Sequence, residues 1–185
     1  MAIKTSVFIA TSLDGYIARR DGSIDWLEKA NKMLPPGEDC GYNKFIESID
    51  LIVMGRNTYD FVRKFDEWPY EDKQVIVLTS RQLVIPPSRE NRVSAFSTSP
   101  KELIKILTDR NIRHIYLDGG ITIQNFLSEG LVDEITITLI PILLGDGRPL
   151  FGQLGDDIQL IHDNTIGFES GFVQIKYLVG RDLTA

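Results

Sequence analysis

The chain has 185 residues, with 20 basic and 26 acidic side chains, so its formal net charge is −6. This length predicts one domain, at about 150 residues per domain. Apolar residues make up 43% of the sequence, which is enough to fill a core without a disulfide or a structural metal and excludes intrinsic disorder. The acidic balance argues against a nucleic-acid binder, because such proteins present a basic surface.

Cysteine and histidine are scarce. Cys40 is the single cysteine, which excludes an intramolecular disulfide and a zinc site built on paired cysteines. The two histidines, His114 and His162, lie in separate segments and argue against a histidine-rich metal site. The first residues lack the features of a signal peptide, and no apolar run approaches the roughly 18 residues that span a bilayer. We therefore expect a soluble, cytoplasmic protein.

Short segments rich in β-branched residues alternate with helical patterns along the first two thirds of the chain. This alternation predicts a mainly parallel sheet that is covered by helices on both faces. The predicted strands are residues 3–11, 50–54, 74–79, 93–97 and 114–117, and the predicted helices are residues 42–48, 58–65, 99–111 and 121–130.

The last third of the chain has a different pattern. Residues 132–144 form a long β-type run that ends at a Gly-Asp-Gly turn, and residues 157–165 and 172–179 alternate apolar and polar side chains. No helical pattern intervenes, so we expect these strands to be antiparallel and to extend one edge of the sheet. The sequence thus predicts a single α/β domain with an antiparallel C-terminal hairpin.

In an open α/β sheet, ligands bind outside the carboxyl ends of the parallel strands. After the second strand the chain reads Met54-Gly55-Arg56-Asn57-Thr58. Glycine permits close approach of a ligand, Asn57 and Thr58 can cap the next helix, and its free N–H groups beside Arg56 suit a phosphate. The alternative is a well-capped helix with a solvated arginine.

Two further junctions have the same character. Thr79-Ser80-Arg81 follows the third strand, and Asp118-Gly119-Gly120-Ile121-Thr122 follows the fifth. Each alone could be a polar loop, and the glycine pair lacks the full dinucleotide fingerprint. Their coincidence at one sheet edge favours an extended ligand with several phosphates, and the two arginines favour the additional phosphate of NADP.

The first strand leads into Ala10 and a glycine-bearing loop, which could admit a flat ring. The alternative is a tight turn in which Asp14 binds nearby backbone and Gly15 takes a positive φ.

These segments match a known family. Residues 12–18, 54–59 and 118–120 resemble the dihydrofolate reductase superfamily, and residues 131–134 and 141–151 resemble the reductase domain of the riboflavin-biosynthesis protein RibD. The resemblance extends over nearly the whole chain. It implies a dihydrofolate reductase-like, three-layer αβα fold with a mainly parallel central sheet, an antiparallel C-terminal hairpin, and NADPH along the carboxyl edge of the sheet.

The resemblance also implies roles for individual residues in binding NADPH. Ala10 and Ile17 would flank the nicotinamide. The adenosine phosphates would be held by Gly55, Arg56, Asn57 and Thr58, with Arg56 on the 2′-phosphate. Thr79, Ser80 and Arg81 would contact the adenine ribose, and Gly119, Gly120, Ile121 and Thr122 would line the pyrophosphate.

On the substrate side, the resemblance places an acidic residue near Asp39, which we expect to bind substrate and to act as proton donor. Water ordered by the substrate is the alternative donor. Asp39 could instead cap a helix. Trp26 and Tyr42 are the other expected substrate contacts, although Trp26 could equally be a core residue. Full RibD proteins carry a zinc deaminase domain that this sequence lacks, so a role in riboflavin synthesis stays open.

The expected activity is hydride transfer from NADPH to a small heterocycle, of the 5-amino-6-(5-phosphoribosylamino)uracil reductase or pterin reductase type. The alternative is a non-catalytic protein that binds NADP or a flavin. We also expect a homodimer in which the apolar strand at residues 135–144 pairs with a second copy, although a buried internal strand explains that segment equally well.

Overall fold

The computed structural model describes residues 2–65, 67–70 and 73–180. Its main feature is an eight-stranded sheet with the strand order β5-β4-β3-β6-β1-β7-β10-β9. The strands are β1 (Lys4–Ser12), β2 (Tyr16–Ala18), β3 (Leu51–Gly55), β4 (Gln74–Leu78), β5 (Val93–Phe96), β6 (His114–Asp118), β7 (Glu134–Ile140), β8 (Arg148–Pro149), β9 (Leu160–Gly167) and β10 (Val173–Val179). The helices are α1 (Asp25–Asn31), α2 (Tyr42–Glu47), α3 (Arg56–Val62), α4 (Pro100–Thr108) and α5 (Gly120–Ser128).

The central strands form because their side chains are apolar on both faces. Val53 on β3 is in register with Ile76 on β4 and with Leu117 on β6, and all three are at most 2% exposed. A parallel strand buried on both faces requires helices on both sides of the sheet. Helices α4 and α5 pack on one face, and α1, α2 and α3 contribute residues to the two clusters on the other.

Helix α4 shows how local sequence sets an element boundary. Ser99 is its N-cap and accepts a hydrogen bond from the Glu102 amide, while the Glu102 side chain accepts one from the Ser99 amide. Pro100 occupies the first turn, where its missing N–H costs nothing. This capping box begins the helix where the sequence predicted it.

The last third differs in part from the expectation. Strands β9 and β10 do form an antiparallel hairpin at the edge of the sheet. The expectation that the preceding strand is also antiparallel to the sheet was wrong, because β7 pairs with β1 in parallel. The physical reason is that α5 lies immediately before β7 and supplies the crossover that parallel pairing requires.

The position of β7 also corrects the predicted dimer contact. Strand β7 is hydrogen-bonded to β1 on one side and to β10 on the other. No backbone edge is left on β7 for a second copy, so the alternative of a buried internal strand is right for this segment. The edge strands of the sheet are β5 at one end and β9 at the other.

Two short elements stand over the carboxyl end of the sheet. Strands β2 and β8 pair in a separate two-stranded sheet, and α1 follows β2. Helix α1 was not predicted, because only Trp26 and Ala30 of its seven residues are buried and so short a stripe gives little periodicity. In the described part of the chain, none of the helices is long and apolar enough to cross a membrane.

Candidate active site

A large cavity lies along the carboxyl edge of the sheet. Its volume is about 1330 Å³, which exceeds the roughly 300–1,000 Å³ of a typical small-molecule pocket. The cavity therefore has room for a dinucleotide and a second small molecule. Its lining includes every residue that the sequence predicted for the cofactor: Ala10, Ile17, Gly55, Arg56, Asn57, Thr58, Thr79, Ser80, Arg81, Gly119, Gly120, Ile121 and Thr122.

The junctions after β3 and β6 interlock. A Cβ at Gly55 would lie 3.1 Å from the Thr122 hydroxyl, and a Cβ at Gly119 would overlap the Thr58 hydroxyl. Gly119 also has a φ of +91°, which disfavours any other residue. Glycine is thus required here so that the starts of α3 and α5 can come together at the edge of neighbouring strands.

Both helices begin without a side-chain cap. The expectation that Asn57 and Thr58 cap the helix was wrong: α3 begins at Arg56, with Gly55 as its N-cap, so Asn57 and Thr58 lie in its first turn. Gly119 is the N-cap of α5, which likewise has no side-chain cap. Amide groups at an uncapped helix start are available to an anion, which the helix dipole also favours.

The two predicted phosphate arginines have different surroundings. The Arg56 guanidinium donates to the Asp60 carboxylate at 2.6 Å and to the Gln82 carbonyl at 2.9 Å. Arg81 also lines the cavity, and its side chain has no ion-pair partner among residues 2–65, 67–70 and 73–180. The Thr79 hydroxyl accepts from the Arg81 amide at 3.1 Å and thereby fixes the turn that carries Arg81.

The predicted substrate residues are only partly brought together. Asp39 and Tyr42 line the cavity, but Trp26 does not. Trp26 is 2% exposed and packs with Cys40, Ile140 and Phe172, which agrees with the core-packing alternative. Both Asp39 carboxylate oxygens accept backbone hydrogen bonds, from the Gly41 and Asn43 amides at 2.8 Å. Asp39 therefore supports the start of α2, but the alternative that Asp39 is its N-cap was wrong by two residues, because the N-cap is Gly41.

Asp118 is the acidic residue that the sequence reasoning passed over. It ends β6, directly before the glycine pair, and it lines the cavity. The Tyr70 hydroxyl donates to its carboxylate at 2.5 Å. The sequence motif contained Asp118, but only the structure shows that its carboxylate is bonded to Tyr70 and borders the cavity.

The surroundings of Asp118 favour its protonated form. Burial raises the pKa of the Asp118 carboxyl above its ordinary value, although hydrogen bonds from Tyr70 and the Gly119 amide oppose the shift. Burial likewise raises the pKa of Tyr70 and Tyr116 well above the usual range, so both phenols stay neutral. A carboxyl group with a raised pKa beside a cavity is suited to exchange a proton with a bound ligand.

The loop after β1 and the loop before β8 are linked by hydrogen bonds. The Asp14 carboxylate accepts hydrogen bonds from the Leu144 amide at 3.1 Å and the Gly145 amide at 2.7 Å. Gly15 has a φ of +83°. The alternative of a structural turn is therefore right for Asp14, except that the backbone it binds comes from the distant loop before β8.

Comparison with known proteins identifies the family. The model of the RibD C-terminal domain matches residues 4–173. The chain belongs to the RibD C-terminal domain family. A protein from Shewanella sp. PV-4 that is assigned to riboflavin biosynthesis has a crystal structure similar to this one, with a TM-score of 0.89 and 41% sequence identity over 98% of this chain and 100% of that chain.

Two curated relatives extend the comparison. The uncharacterised protein YwjB of Bacillus subtilis is 36% identical over 182 residues, which are 96% of this chain and 99% of YwjB. The dihydrofolate reductase HdrB of Haloferax volcanii is 27% identical over 129 residues, which are 68% of this chain and 62% of HdrB. These matches confirm the predicted family and the dihydrofolate reductase-like αβα fold, and they indicate a reductase-type RibD C-terminal domain.

Proposed function

We propose that this RibD C-terminal domain is an NADPH-dependent reductase that transfers a hydride to a small heterocyclic substrate. The observation that carries the proposal is that three strand ends, each followed by residues suited to bind phosphate, line one cavity of about 1330 Å³. A structural α/β domain has no need of uncapped helix starts and cationic side chains at the same edge of its sheet. The dihydrofolate reductase relative, HdrB, supports this class of reaction.

The lining residues fit NADPH chemically. The uncapped amides at the start of α5, with the Thr122 hydroxyl, suit the pyrophosphate. Arg81 offers a guanidinium without an ion-pair partner in the described residues, and Arg56 is held beside the Arg81 turn by its bond to the Gln82 carbonyl. Together these two arginines suit the 2′-phosphate that distinguishes NADPH from NADH. Ala10 and Ile17 provide a small, apolar border for the nicotinamide.

The other half of the cavity suits a flat, apolar molecule. Its walls come from α1, α2 and the ends of β1 and β7, and include Phe8, Leu27, Leu34, Tyr42, Ile140 and Phe172. Apolar walls bind a ring by its faces and exclude water from the reacting atoms. The substrate ring and the nicotinamide would thus be held against each other, which is the main contribution that a protein makes to hydride transfer.

NADPH, when bound, supplies a hydride and becomes NADP⁺. Reduction of a C=N or C=O group also needs a proton on the nitrogen or oxygen. We propose that Asp118 provides this proton, because its pKa is raised by burial and its carboxyl borders the cavity. Tyr70 holds the carboxyl in place through its hydroxyl. Asp39 is less suited to this role, because its two carboxylate oxygens are engaged at the start of α2.

The proposal is tested by measuring NADPH oxidation with a panel of oxidised pterins, dihydropterins and ribosylaminopyrimidines. Turnover of at least one panel member, faster than with NADH, is the expected result. Tight binding of NADPH without turnover of any member would instead support a non-catalytic NADP-binding protein. Failure of NADPH to bind would contradict the proposal.

We also propose that the protein is a homodimer that pairs through β9. All eight residues of β9 are exposed, including Leu160, Ile161 and Ile166, and one backbone edge of this strand is free in the sheet. An exposed edge strand that carries apolar side chains is a site of association between chains. Sedimentation should show a particle of twice the chain mass, and Ile166→Lys should convert it to the monomer. A wild-type monomer would contradict this proposal.

A further inference from the structure

A buried hydroxyl group lies on the sheet in the cavity wall. Thr138 is on β7, where it is in register with Ala10 of β1 on one side and with Gln174 of β10 on the other. Thr138 is 4% exposed and lines the cavity. Because a strand lies on each side of Thr138, its side chain is the part of this residue that can contact a ligand.

The alternation of β7 places Thr138 on the face of the sheet that α1 and α2 cover. Ile140, two residues further along, packs with Trp26 and Cys40. Ile137, next to Thr138, packs instead with the cluster that contains α4 and α5. Successive side chains of a strand point to opposite faces, so Thr138 shares the face of Ile140. Thr138 therefore belongs to the apolar half of the cavity.

Gln174 determines how the Thr138 hydroxyl can hydrogen-bond. The Gln174 amide nitrogen donates to the Cys40 carbonyl and to the Thr138 hydroxyl, each at 2.9 Å. A backbone carbonyl can only accept, so the nitrogen of the Gln174 amide, and not its oxygen, must lie at this position. The same nitrogen gives its second hydrogen to Thr138, whose oxygen accepts it.

The proton of the Thr138 hydroxyl is therefore left over. Within segments 2–65, 67–70 and 73–180, which the structure describes, no residue accepts a hydrogen bond from it. A buried donor without an acceptor costs free energy, and Thr138 borders a cavity from which a ligand can supply one. A carbonyl oxygen or an unprotonated ring nitrogen would be a suitable acceptor.

Gln174 also holds the turn that leads into α2. Cys40 in this turn has a φ of +54°, which is uncommon for a residue with a side chain. The Cys40 amide donates to the Glu38 carboxylate at 2.7 Å, and its carbonyl accepts from Gln174. Cys40 and Thr138 line the cavity, but Gln174 does not. One amide thus joins two walls of the cavity without contacting a ligand itself.

We propose that Gln174 is a positioning residue that fixes Thr138 as a hydrogen-bond donor to the substrate. The substrate then carries a carbonyl oxygen or an acceptor nitrogen on the edge of its ring that meets β7. The identity of this ligand as a substrate rests on the proposed reductase function. A hydrogen bond between neutral groups contributes about a three- to ten-fold difference in affinity.

A double-mutant cycle tests both parts of the proposal. The probes are pterin and 5,6-diaminouracil, two flat rings with carbonyl acceptors, titrated calorimetrically with and without saturating NADP⁺. At least one probe should bind the wild type, and Thr138→Val should weaken its binding about three- to ten-fold. Gln174→Met should also weaken binding. The double variant should bind no more weakly than Thr138→Val, because Gln174 acts through Thr138.

Three further variants serve as controls. Thr136→Val should leave the affinity unchanged, because Thr136 lies on the same face of β7 and is 8% exposed but does not line the cavity. Thr138→Ser keeps the hydroxyl and should retain the affinity. Gln174→Glu should weaken binding as Thr138→Val does, because a carboxylate accepts the Thr138 proton. Equal melting temperatures of the variants exclude misfolding as the cause.

Three results would overturn the proposal. The first is a wild type that binds neither probe, and the second is an unchanged affinity in Thr138→Val. The third is a double variant in which the two single effects multiply, since Gln174 would then act through the Cys40 turn. Failure of the wild type to oxidise NADPH with any substrate would contradict the reductase function but not the hydrogen bond measured by titration.

Discussion

The two ends of the central sheet use charged residues in opposite ways. At the amino end, Glu134 is nearly buried and accepts from Lys4 at 2.9 Å, Lys176 at 3.3 Å and Ser6 at 2.8 Å. At the carboxyl end, the Asp118 carboxylate accepts a hydrogen bond from the Tyr70 hydroxyl and borders the cavity. Arg81 and Arg148 also line the cavity. The charges at the amino end are paired within the fold, whereas at the carboxyl end Arg56 is paired but Arg81 and Arg148 have no ion-pair partner in the described residues.

The pKa shifts of the two acids express the same difference. Burial opposes ionisation of Glu134, but hydrogen bonds from Lys4 and Ser6 outweigh it, so its pKa is lowered. At Asp118, burial outweighs the hydrogen bonds and the pKa is raised. A lowered pKa means that the charge stabilises the fold, and a raised pKa means that ionisation destabilises it. We therefore expect changes at the amino end to affect stability and changes at the carboxyl end to affect ligands.

The largest effect should come from Asp118→Asn. The amide cannot donate an acidic proton, so kcat should fall by about 10²–10⁴-fold, while the Kd for NADPH stays unchanged. In the wild type, kcat should decline as the pH rises through the raised pKa of Asp118, and the variant should lose this dependence. A pH–rate profile checks both points, and a variant that retains the wild-type kcat would contradict the role of Asp118.

Gly119→Ala should disturb the carboxyl end of the sheet through a steric clash. The new Cβ would overlap the Thr58 hydroxyl, and the residue has a φ of +91°. Gly130→Ala is the matched control, because Gly130 has a φ of +66° but no atom within 4 Å of the added Cβ. The control should lose about 1–2 kcal/mol of unfolding free energy, and Gly119→Ala about 1–3 kcal/mol more, with weaker NADPH binding. Equal losses would contradict the interlocking of the two junctions.

Glu134→Gln should affect the amino end and leave the site intact. Removing the charge should lower the unfolding free energy by about 1–3 kcal/mol at pH 7 without changing kcat or the Kd for NADPH. The folded pKa is lowered, so the stabilisation is present above the unfolded value of about 4.3 and is lost as the pH falls through the folded pKa. Denaturant titrations at neutral and acidic pH should thus show the variant and the wild type converging in acid.

Ser99→Ala should have the smallest effect. It removes the cap of α4, which lies on the face away from α2 and α3. The expected loss is about 1 kcal/mol of unfolding free energy, with unchanged activity. A thermal melt measures the loss. A change in kcat would show that the stability of α4 and the activity of the site are not independent.

The sequence predicted the parallel part of the fold well, because its strands are apolar on both faces and its helices carry strong signals. Ser99 and Pro100 mark the start of α4, and Gly130 follows the end of α5. Strand β7 was misjudged because its direction depends on the crossover through α5 and not on its own residues. Helix α1 was missed because a seven-residue helix with two buried positions has no clear period.

The sequence predicted which strand ends form the candidate site, but it did not predict the hydrogen bonds between the residues of the site. Parallel strands bring their carboxyl ends to one edge, so local sequence sufficed to select residues that line one cavity. Gln82, the second partner of Arg56 beside Asp60, and Tyr70, a partner of Asp118, come from distant segments, and no local pattern reveals them. Arg148 was noticed only as part of a family motif, since its packing on Gly22 depends on the pairing of β2 with β8.

The central claim is that the carboxyl edge binds NADPH through its 2′-phosphate. The most direct test is calorimetric titration of the wild type and Arg81→Met with NADPH and NADH, with Arg113→Met as a control outside the cavity. We expect the wild type and the control to bind NADPH about ten-fold or more tightly than NADH, and Arg81→Met to lose most of that preference. Equal or tighter binding of NADH by the wild type would contradict the account.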